Sequence, residues 1–309
     1  MKRISLKMTK QNRFRFFTYV MLIAFLSIIS YSCSNDDNQL PIKEEETPNP
    51  ITEISEEIKN LIYFKGKEKA STVLITIPGG PSTEFNTEIT DLIPLVFNTT
   101  DILNVAVHQA QTLDSTIVKT NDITLNQAVS INNESLEILD QVVTYFKGQG
   151  RIVHILGFSF GAFVTQELIA KKGIASADKY LIMTGRLDIN EDLWQASAAG
   201  IEGGFENGTT PVIAAEPDPD VKERNLLRIS AGLGKNRYTQ LLNTIEDLSY
   251  VTYIYGTTDE AVGSLTDEEV QFLESKNTNI IKGSGNHTTT LDNFIVQGLE
   301  DTFGLEPLQ

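Results

Sequence analysis

The sequence is poor in cysteine, histidine and basic residues, and each shortage narrows what the chain can do. Only one of its 309 residues is cysteine, Cys33, so no disulfide can form within the chain. Only three are histidine, which leaves few candidates for a general base. Lysine and arginine number 25 against 41 aspartate and glutamate, a formal net charge of −16. Such a charge repels nucleic acids and anionic lipid surfaces, so we expect no nucleic-acid partner.

Long hydrophobic runs are also scarce, and the notable one lies near the N-terminus. Six basic residues precede the uncharged run "FFTYVMLIAFLSIISYSCSN" at positions 16–35. A basic start followed by an apolar run predicts a secretion signal over residues 1–32. An uncleaved membrane anchor is the alternative interpretation, because about twenty uncharged residues can span a bilayer core.

The single cysteine lies where this apolar run ends. Cys33 follows the small residue Ser32, an arrangement that resembles a bacterial lipoprotein signal. The resemblance implies secretion across the inner membrane and a lipid anchor on Cys33. The acidic "SNDD" after Cys33 resembles the signal that sends lipoproteins to the outer surface of Gram-negative bacteria, so we expect an outer-membrane location. Residues 33–50 are acidic and contain proline, which predicts a flexible tether.

From about residue 51 to residue 309, short apolar strands alternate with helical periodicity. This alternation predicts one α/β domain with a mostly parallel central sheet and helices on both faces. A stretch at about 186–247 has weaker strand signals and several glycines and prolines, and is predicted to be an inserted cap. Strands are predicted at 72–77, 103–107 and 152–156 and within "KYLIMTG", "LSYVTYIYG" and "NTNIIKGSG".

The segment "RIVHILGFSFGAFVTQELIAKK" at positions 151–172 contains the main chemical motif. A strand leads to "GFSFG", and an amphipathic helix is predicted to follow it. A serine lifted onto a sharp strand-to-helix turn needs neighbours without side chains two positions away, and Gly157 and Gly161 satisfy this for Ser159. The helix N-terminus would direct backbone N–H groups, Phe160 N–H among them, at an oxyanion beside the serine. The pattern favours Ser159 as a nucleophile.

A serine hydroxyl needs a base to accept its proton and an acid to orient that base. On this kind of turn the chain order is nucleophile, acid, base. His108 and His154 precede Ser159, so His287, in "KGSGNHTTT", is the candidate base.

The acid should follow a strand between the serine and the base. Asp259 lies just past such a strand in "YVTYIYGTTDEAVG", with Glu260 as a neighbouring alternative. Asp188, in "TGRLD" after the preceding strand, is a second alternative. A further oxyanion donor is expected in the glycine-rich "IPGGPS", where Gly80 is the candidate because Pro81 has no N–H.

Residues from about 55 to 303 resemble proteins of the α/β-hydrolase fold. The matching motifs are "PGG" at 78–80, "GFSFG" at 157–161, "GTTDEAVG" at 256–263 and "GNH" at 285–287. The resemblance implies a triad of Ser159, Asp259 and His287. It also implies attack on the carbonyl of an ester, amide or thioester in a small-molecule or peptide substrate, and hydrolysis of an acyl-enzyme by water. No metal or organic cofactor is implied.

The subtype of activity stays open at this point. "PGGP" is also similar to the "HGGP" loop of proline iminopeptidases, so the resemblance allows a carboxylesterase-like or an aminopeptidase-like hydrolase. A catalytically silent surface binding protein on the same scaffold is the alternative, because a fold does not fix a function.

Overall fold

A computed structural model describes residues 53–308 of the chain. The predicted signal at 1–32, Cys33 and the predicted tether at 33–50 lie outside the described residues. Within residues 53–308, no helix combines the length and the apolar character needed to cross a membrane.

Seven strands of this described part form one sheet in the spatial order β1-β3-β2-β4-β5-β8-β9. The edge strand β1 is antiparallel to β3, and the other neighbouring strands are parallel. The remaining two strands form a separate antiparallel hairpin. The strands are β1 (Ile62–Gly66), β2 (Thr72–Ile77), β3 (Ile102–Val107), β4 (Ile152–Phe158), β5 (Lys179–Met183), β6 (Gly203–Glu206), β7 (Thr210–Ile213), β8 (Val251–Gly256) and β9 (Asn279–Gly283).

Helices cover both faces of the sheet, as the sequence predicts. Short 3-10 turns lie at Ala110–Thr112 and Ile174–Ser176. The helices are α1 (Glu56–Lys59), α2 (Glu88–Val96), α3 (Thr116–Lys119), α4 (Leu125–Gly148), α5 (Phe160–Lys172), α6 (Glu191–Ala198), α7 (Val221–Gly234), α8 (Tyr238–Leu241), α9 (Asp267–Ser275) and α10 (His287–Phe303).

The central strands are apolar along their length because both of their faces are buried. Val73 and Ile75 of β2 belong to a core cluster that includes buried residues of α4 and α5. Leu74, between them, belongs to a second cluster with buried residues of α2 and α10. Successive strand residues therefore anchor opposite layers of helices to one sheet.

Helix α5 differs from the amphipathic helix that the sequence predicts. Every residue from Phe160 to Ile169 is buried, including Glu167, which is 4% exposed. The Glu167 Oε2 atom accepts hydrogen bonds from Asn236 Nδ2 at 2.9 Å and from the Tyr238 hydroxyl at 3.0 Å. The expectation of an amphipathic helix was wrong because the chain between β5 and β8 covers the face that periodicity assigns to solvent.

That covering chain contains α6, the hairpin of β6 and β7, α7 and α8, which we call the α6–α8 segment (191–241). It packs against the main domain through α7, where Asn132 Nδ2 of α4 donates to the Ile229 carbonyl oxygen at 2.9 Å. Gly232 faces the same contact, because a Cβ there would lie 2.6 Å from Asn132 Nδ2. The segment therefore rests over α4 and α5, beside the turn that carries Ser159.

The backbone of the turn between β4 and α5 is closely packed against its neighbours. A Cβ on Gly161 would overlap the carbonyl oxygen of Ile77 at the end of β2. A Cβ on Gly157 would overlap Thr165 Oγ1 and the carbonyl oxygen of Gly161. Both positions therefore require glycine, for reasons of space rather than of backbone dihedral angle.

We expect Gly161→Ala to lower the free energy of unfolding by about 1–3 kcal/mol or more, because the methyl group must displace the backbone of β2. Urea denaturation followed by circular dichroism measures this loss. Gly234→Ala is the matched control, since its Cβ would meet no atom nearer than 3.6 Å. Equal stability of the two variants would contradict the close packing at the turn.

Candidate active site

Ser159 lies on the turn between β4 and α5 in a strained backbone conformation. Its φ of 54° and ψ of −122° place a non-glycine residue in a region that costs about 1–3 kcal/mol. The conformation is held by its backbone N–H, which donates to the Met183 carbonyl oxygen at 3.0 Å and to Thr184 Oγ1 at 3.3 Å. The end of β5 thus fixes the turn that projects the serine from the sheet.

His287 is the first residue of α10 and reaches the serine across the end of the sheet. Its Nε2 atom lies 2.9 Å from Ser159 Oγ, and its Nδ1 atom lies 2.7 Å from Asp259 Oδ2. The backbone around it is fixed by a reciprocal cap, in which Asn286 accepts from the Thr289 N–H and donates its own N–H to Thr289 Oγ1. The base is therefore positioned by the start of a helix rather than by a free loop.

Asp259 follows β8 and is almost fully buried, with 1% of its surface exposed. Its Oδ1 atom accepts hydrogen bonds from the backbone N–H groups of Ala261 at 2.9 Å and Val262 at 3.0 Å. Its Oδ2 atom is left for the imidazole of His287. In the tautomer that carries its proton on Nδ1, His287 donates to Asp259 Oδ2, and its Nε2 can accept a proton from Ser159.

The structure brings Ser159, His287 and Asp259 together, and it places the two alternative acids elsewhere. Asp188 accepts hydrogen bonds from the backbone N–H and the hydroxyl of Thr239, at the start of α8. Glu260 is exposed and accepts from the backbone N–H of His287 at 3.1 Å rather than from its ring.

The other two histidines are buried and have structural partners. His108 Nδ1 lies 3.1 Å from the Leu61 carbonyl oxygen, and its Nε2 accepts from the Asn86 N–H at 2.9 Å. His154 stacks on the ring of Phe303 with 4.9 Å between centroids. Burial lowers the pKa of His108, and it lowers the pKa of His154 to about 4. Both imidazoles therefore fit neutral, structural roles.

The loop after β2 is held beside Ser159 by a pair of buried glutamines. Gln109 Oε1 accepts from the Ser82 N–H at 3.0 Å, while its Nε2 donates to the carbonyl oxygens of Pro78 at 3.4 Å and Gly79 at 3.5 Å. Gln111 Nε2 donates to Gln109 Oε1 at 2.6 Å and to the Ser82 carbonyl oxygen at 3.0 Å. We call this pair the glutamine clamp.

The clamp binds the chain on both sides of Gly80, at Gly79 and at Ser82. Gly80 lines a cavity together with Ser159 and Phe160. The two residues predicted to supply oxyanion donors thus lie at the same cavity as the serine. Reasoning from the sequence missed Gln109 and Gln111. The available signal was their position directly after β3, which runs parallel to β2 and so ends at the same edge of the sheet.

The cavity has a volume of about 210 Å³ and apolar walls. Three residues with hydroxyl side chains line it: Ser159, Ser197 and Ser230. None of the described residues that line it carries a formal charge. The apolar walls come from α5, α6, β6, α7 and the loop after Asp259, namely Phe163, Leu193, Trp194, Phe205, Leu227 and Val262.

A buried ion pair lies behind the wall formed by Phe205. Arg186 Nε lies 3.3 Å from Glu269 Oε2, and both side chains are less than a tenth exposed. The guanidinium carbon of Arg186 lies 5.1 Å from the centroid of the Phe205 ring. Burial raises the pKa of the Glu269 carboxyl, against the opposing effect of Arg186. The pair packs between the cavity wall and the loop that bears Asp259.

The hairpin of β6 and β7 is joined to that same loop by backbone hydrogen bonds. Phe205 N–H donates to the Glu260 carbonyl oxygen at 2.8 Å, and Ser264 N–H donates to the Gly208 carbonyl oxygen at 2.7 Å. The cavity wall at Phe205 and the loop that bears Asp259 therefore form one packed unit. Among residues 53–308, no group of three or more histidine, cysteine, aspartate or glutamate side chains is arranged to hold a metal ion.

Comparisons with known proteins support the fold class. No protein-family model and no curated protein sequence matches the chain. Among solved structures, the chain is similar to MGS-M2, an alpha/beta hydrolase enzyme from a Medee basin deep-sea metagenome library, at 13% identity and a TM-score of 0.52, over 80% of this chain and 96% of that one. It is also similar to DcsB, solved in complex with its substrate analogue, at 15% identity and a TM-score of 0.51, over 78% of this chain and 92% of that one. The chain has the α/β-hydrolase fold, which confirms the predicted fold class.

We expect Ser159→Gly to be at least as stable as Ser159→Ala. Glycine in place of alanine normally costs about 0.5–1 kcal/mol, but at this position only glycine relieves the strained φ. Chemical denaturation of the two variants measures the order. A glycine variant less stable than the alanine variant by the ordinary margin would show that Ser159 is not strained.

We expect Gln109→Leu to slow the reaction of Ser159 with a fluorophosphonate by about tenfold or more, because the loop bearing Gly80 loses its hydrogen-bonded support. Rates of labelling by a fluorescent fluorophosphonate measure this. Asn132→Leu is the control, since it removes a buried amide from the contact between α4 and α7, away from the loop. A clamp that serves only stability would leave the two variants with equal labelling rates.

Proposed function

We propose that this protein is a serine hydrolase that cleaves a carboxylic ester, amide or thioester through an acyl-enzyme on Ser159. The observation that carries the proposal is the continuous hydrogen-bonded series from Ser159 Oγ through the His287 ring to the buried carboxylate of Asp259. This is the geometry that a serine needs to act as a nucleophile at neutral pH. The fold alone, shared with proteins of 13–15% identity, leaves the activity open.

In the proposed first step, Ser159 Oγ attacks the substrate carbonyl while His287 Nε2 accepts the hydroxyl proton. The imidazolium that forms is stabilised by Asp259, whose other oxygen is already bound by two backbone N–H groups. The negative charge on the former carbonyl oxygen is received by the N–H groups of Phe160 and Gly80. Phe160 is the first residue of α5, so the positive end of the helix dipole adds to this stabilisation.

Collapse of the tetrahedral intermediate releases the leaving group, which takes the proton back from His287 Nε2. A water molecule then repeats the same sequence on the acyl-enzyme, with His287 as its base, and frees the acid product. Asp259 orients the imidazole in both halves of the reaction without itself being protonated.

We also propose that the α6–α8 segment acts as a cap over the reacting serine, since it contributes Leu193, Trp194, Phe205 and Leu227 to the cavity walls. Secretion and lipid anchoring on Cys33, in the outer membrane of a Gram-negative bacterium, stay predictions from the sequence. On these predictions, residues 33–50 would tether the proposed hydrolase to a membrane surface.

We expect Ser159→Ala to abolish fluorophosphonate labelling, and His287→Gln and Asp259→Asn to slow it by about three orders of magnitude or more. The physical reason is that each change removes the nucleophile, its base or the group that fixes the imidazole tautomer. Labelling rates of the purified full-length protein and its variants, read by gel fluorescence, give the result before any substrate is known.

Two matched controls accompany this experiment. Asp188→Asn changes the alternative acid, and His154→Gln changes a histidine with structural partners only, so both variants should be labelled at the wild-type rate. Folding of each variant is checked by its thermal melting curve. A folded wild-type protein that is not labelled would favour the silent binding protein, and loss of labelling in Asp188→Asn but not in Asp259→Asn would overturn the assignment of the acid.

A further inference from the structure

From the cavity beside Ser159 we infer the substrate class: a carboxylic ester, amide or thioester whose acyl group is uncharged and apolar, with a chain of about eight carbon atoms or fewer. This inference rests on the proposed function, because it assigns the cavity to the acyl group of the acyl-enzyme. Three properties of the cavity carry it: its position beside Ser159, its lack of charge and its volume.

The position of the cavity distinguishes the acyl group from the leaving group. The leaving group must lie near His287, which returns the proton to it. His287 is not among the described residues that line the cavity, whereas Ser159, Gly80 and Phe160 are. The cavity therefore extends from Ser159 past the expected oxyanion donors, and it reaches Ala261 and Val262 of the loop that bears Asp259 without including His287. We assign it to the acyl group, which stays on Ser159 after the leaving group has departed.

The walls exclude a charged acyl group. Phe163, Leu193, Phe205 and Leu227 present only hydrocarbon to the cavity, and Ser197 and Ser230 offer hydroxyl groups but no opposite charge. An ammonium or carboxylate group buried here would lose its hydration without gaining a partner. Of the two subtypes that the sequence leaves open, this disfavours the aminopeptidase-like one, whose substrates carry a free amino group near the scissile bond.

The volume limits the length of the chain. An apolar cavity of about 150 Å³ accommodates one benzene molecule, so this cavity of about 210 Å³, which is partly open to solvent, has space for about eight carbon atoms. Burial of each added methylene should raise kcat/KM by about fourfold until the cavity is full. Longer chains must then either displace the walls or leave carbon atoms in water.

A small-residue face of α7 lines part of the cavity. Ser230, Ala231 and Gly234 lie on this face, and all three line the cavity. A Cβ on Gly234 would lie 3.6 Å from the Cβ of Trp194, which is ordinary van der Waals contact. A Cβ at Gly234 is therefore accommodated without a clash, and we expect a larger side chain there to take up part of the cavity volume.

The first experiment measures kcat/KM of the full-length protein on p-nitrophenyl esters from acetate to hexadecanoate. We expect a rise from acetate to a maximum at or below octanoate, and a fall of about tenfold or more by dodecanoate. The p-nitrophenyl esters of 4-methylpentanoate and leucine share a carbon skeleton and differ by one ammonium group. We expect the leucine ester to be slower by about 100-fold. A flat chain-length profile, or preference for the leucine ester, would overturn the inference.

The second experiment fills part of the cavity from position 234. We expect Gly234→Val to lower the ratio of octanoate to acetate kcat/KM by about tenfold, because the added carbons occupy space that the chain end needs. Lys235→Val, at the next position but exposed, is the control and should keep the wild-type ratio. An unchanged ratio in Gly234→Val would place the acyl chain elsewhere. Fluorophosphonate labelling distinguishes failure of the substrate class from failure of the proposed function. A labelled protein without these preferences refutes only the substrate class, and an unlabelled wild type refutes the proposed function.

Discussion

The contact between Gly161 and the carbonyl oxygen of Ile77 fixes the geometry on which the rest of the site depends. At that contact the start of α5 lies against the end of β2 with no space for a side chain. The loop after β2, which bears Gly80, is thereby held beside the N-terminus of α5, which bears Phe160. Ser159 lies between them on the same turn, so the proposed nucleophile and both proposed oxyanion donors take their positions from one close approach of two backbones.

The proposed acid, Asp259, is positioned by different contacts. Asp259 is held by N–H groups of its own loop, and that loop is packed against the β6–β7 hairpin and the buried pair of Arg186 and Glu269. A buried ion pair adds little net stability compared with apolar packing, yet loss of either partner leaves an uncompensated charge. The pair therefore makes the packing behind Phe205 intolerant of change even though its net energy is small.

The sequence predicts the sheet and the serine turn well because both follow from local constraints. Strands buried on both faces appear as apolar runs, and the turn at Ser159 needs glycines at fixed spacing. The burial of α5 is not predictable from periodicity, because the contact of Glu167 with Asn236 and Tyr238 depends on a segment some seventy residues away. The glutamine clamp is not predictable from the sequence for a related reason, since Gln109 donates hydrogen bonds to a loop about thirty residues earlier. The edge strand β1 and the α6–α8 segment carry short or mixed patterns that indicate no single structure.

The hairpin that supplies Phe205 is joined to the acid loop through main-chain groups: Phe205 N–H with the Glu260 carbonyl oxygen, and Ser264 N–H with the Gly208 carbonyl oxygen. Main-chain hydrogen bonds are indifferent to side-chain identity. A new side chain at position 205 would therefore leave these main-chain bonds in place, although it would remove the ring that packs on Arg186. The shape of the cavity and the position of Asp259 thus depend on different parts of one hairpin, the first on its side chains and the second on its main chain.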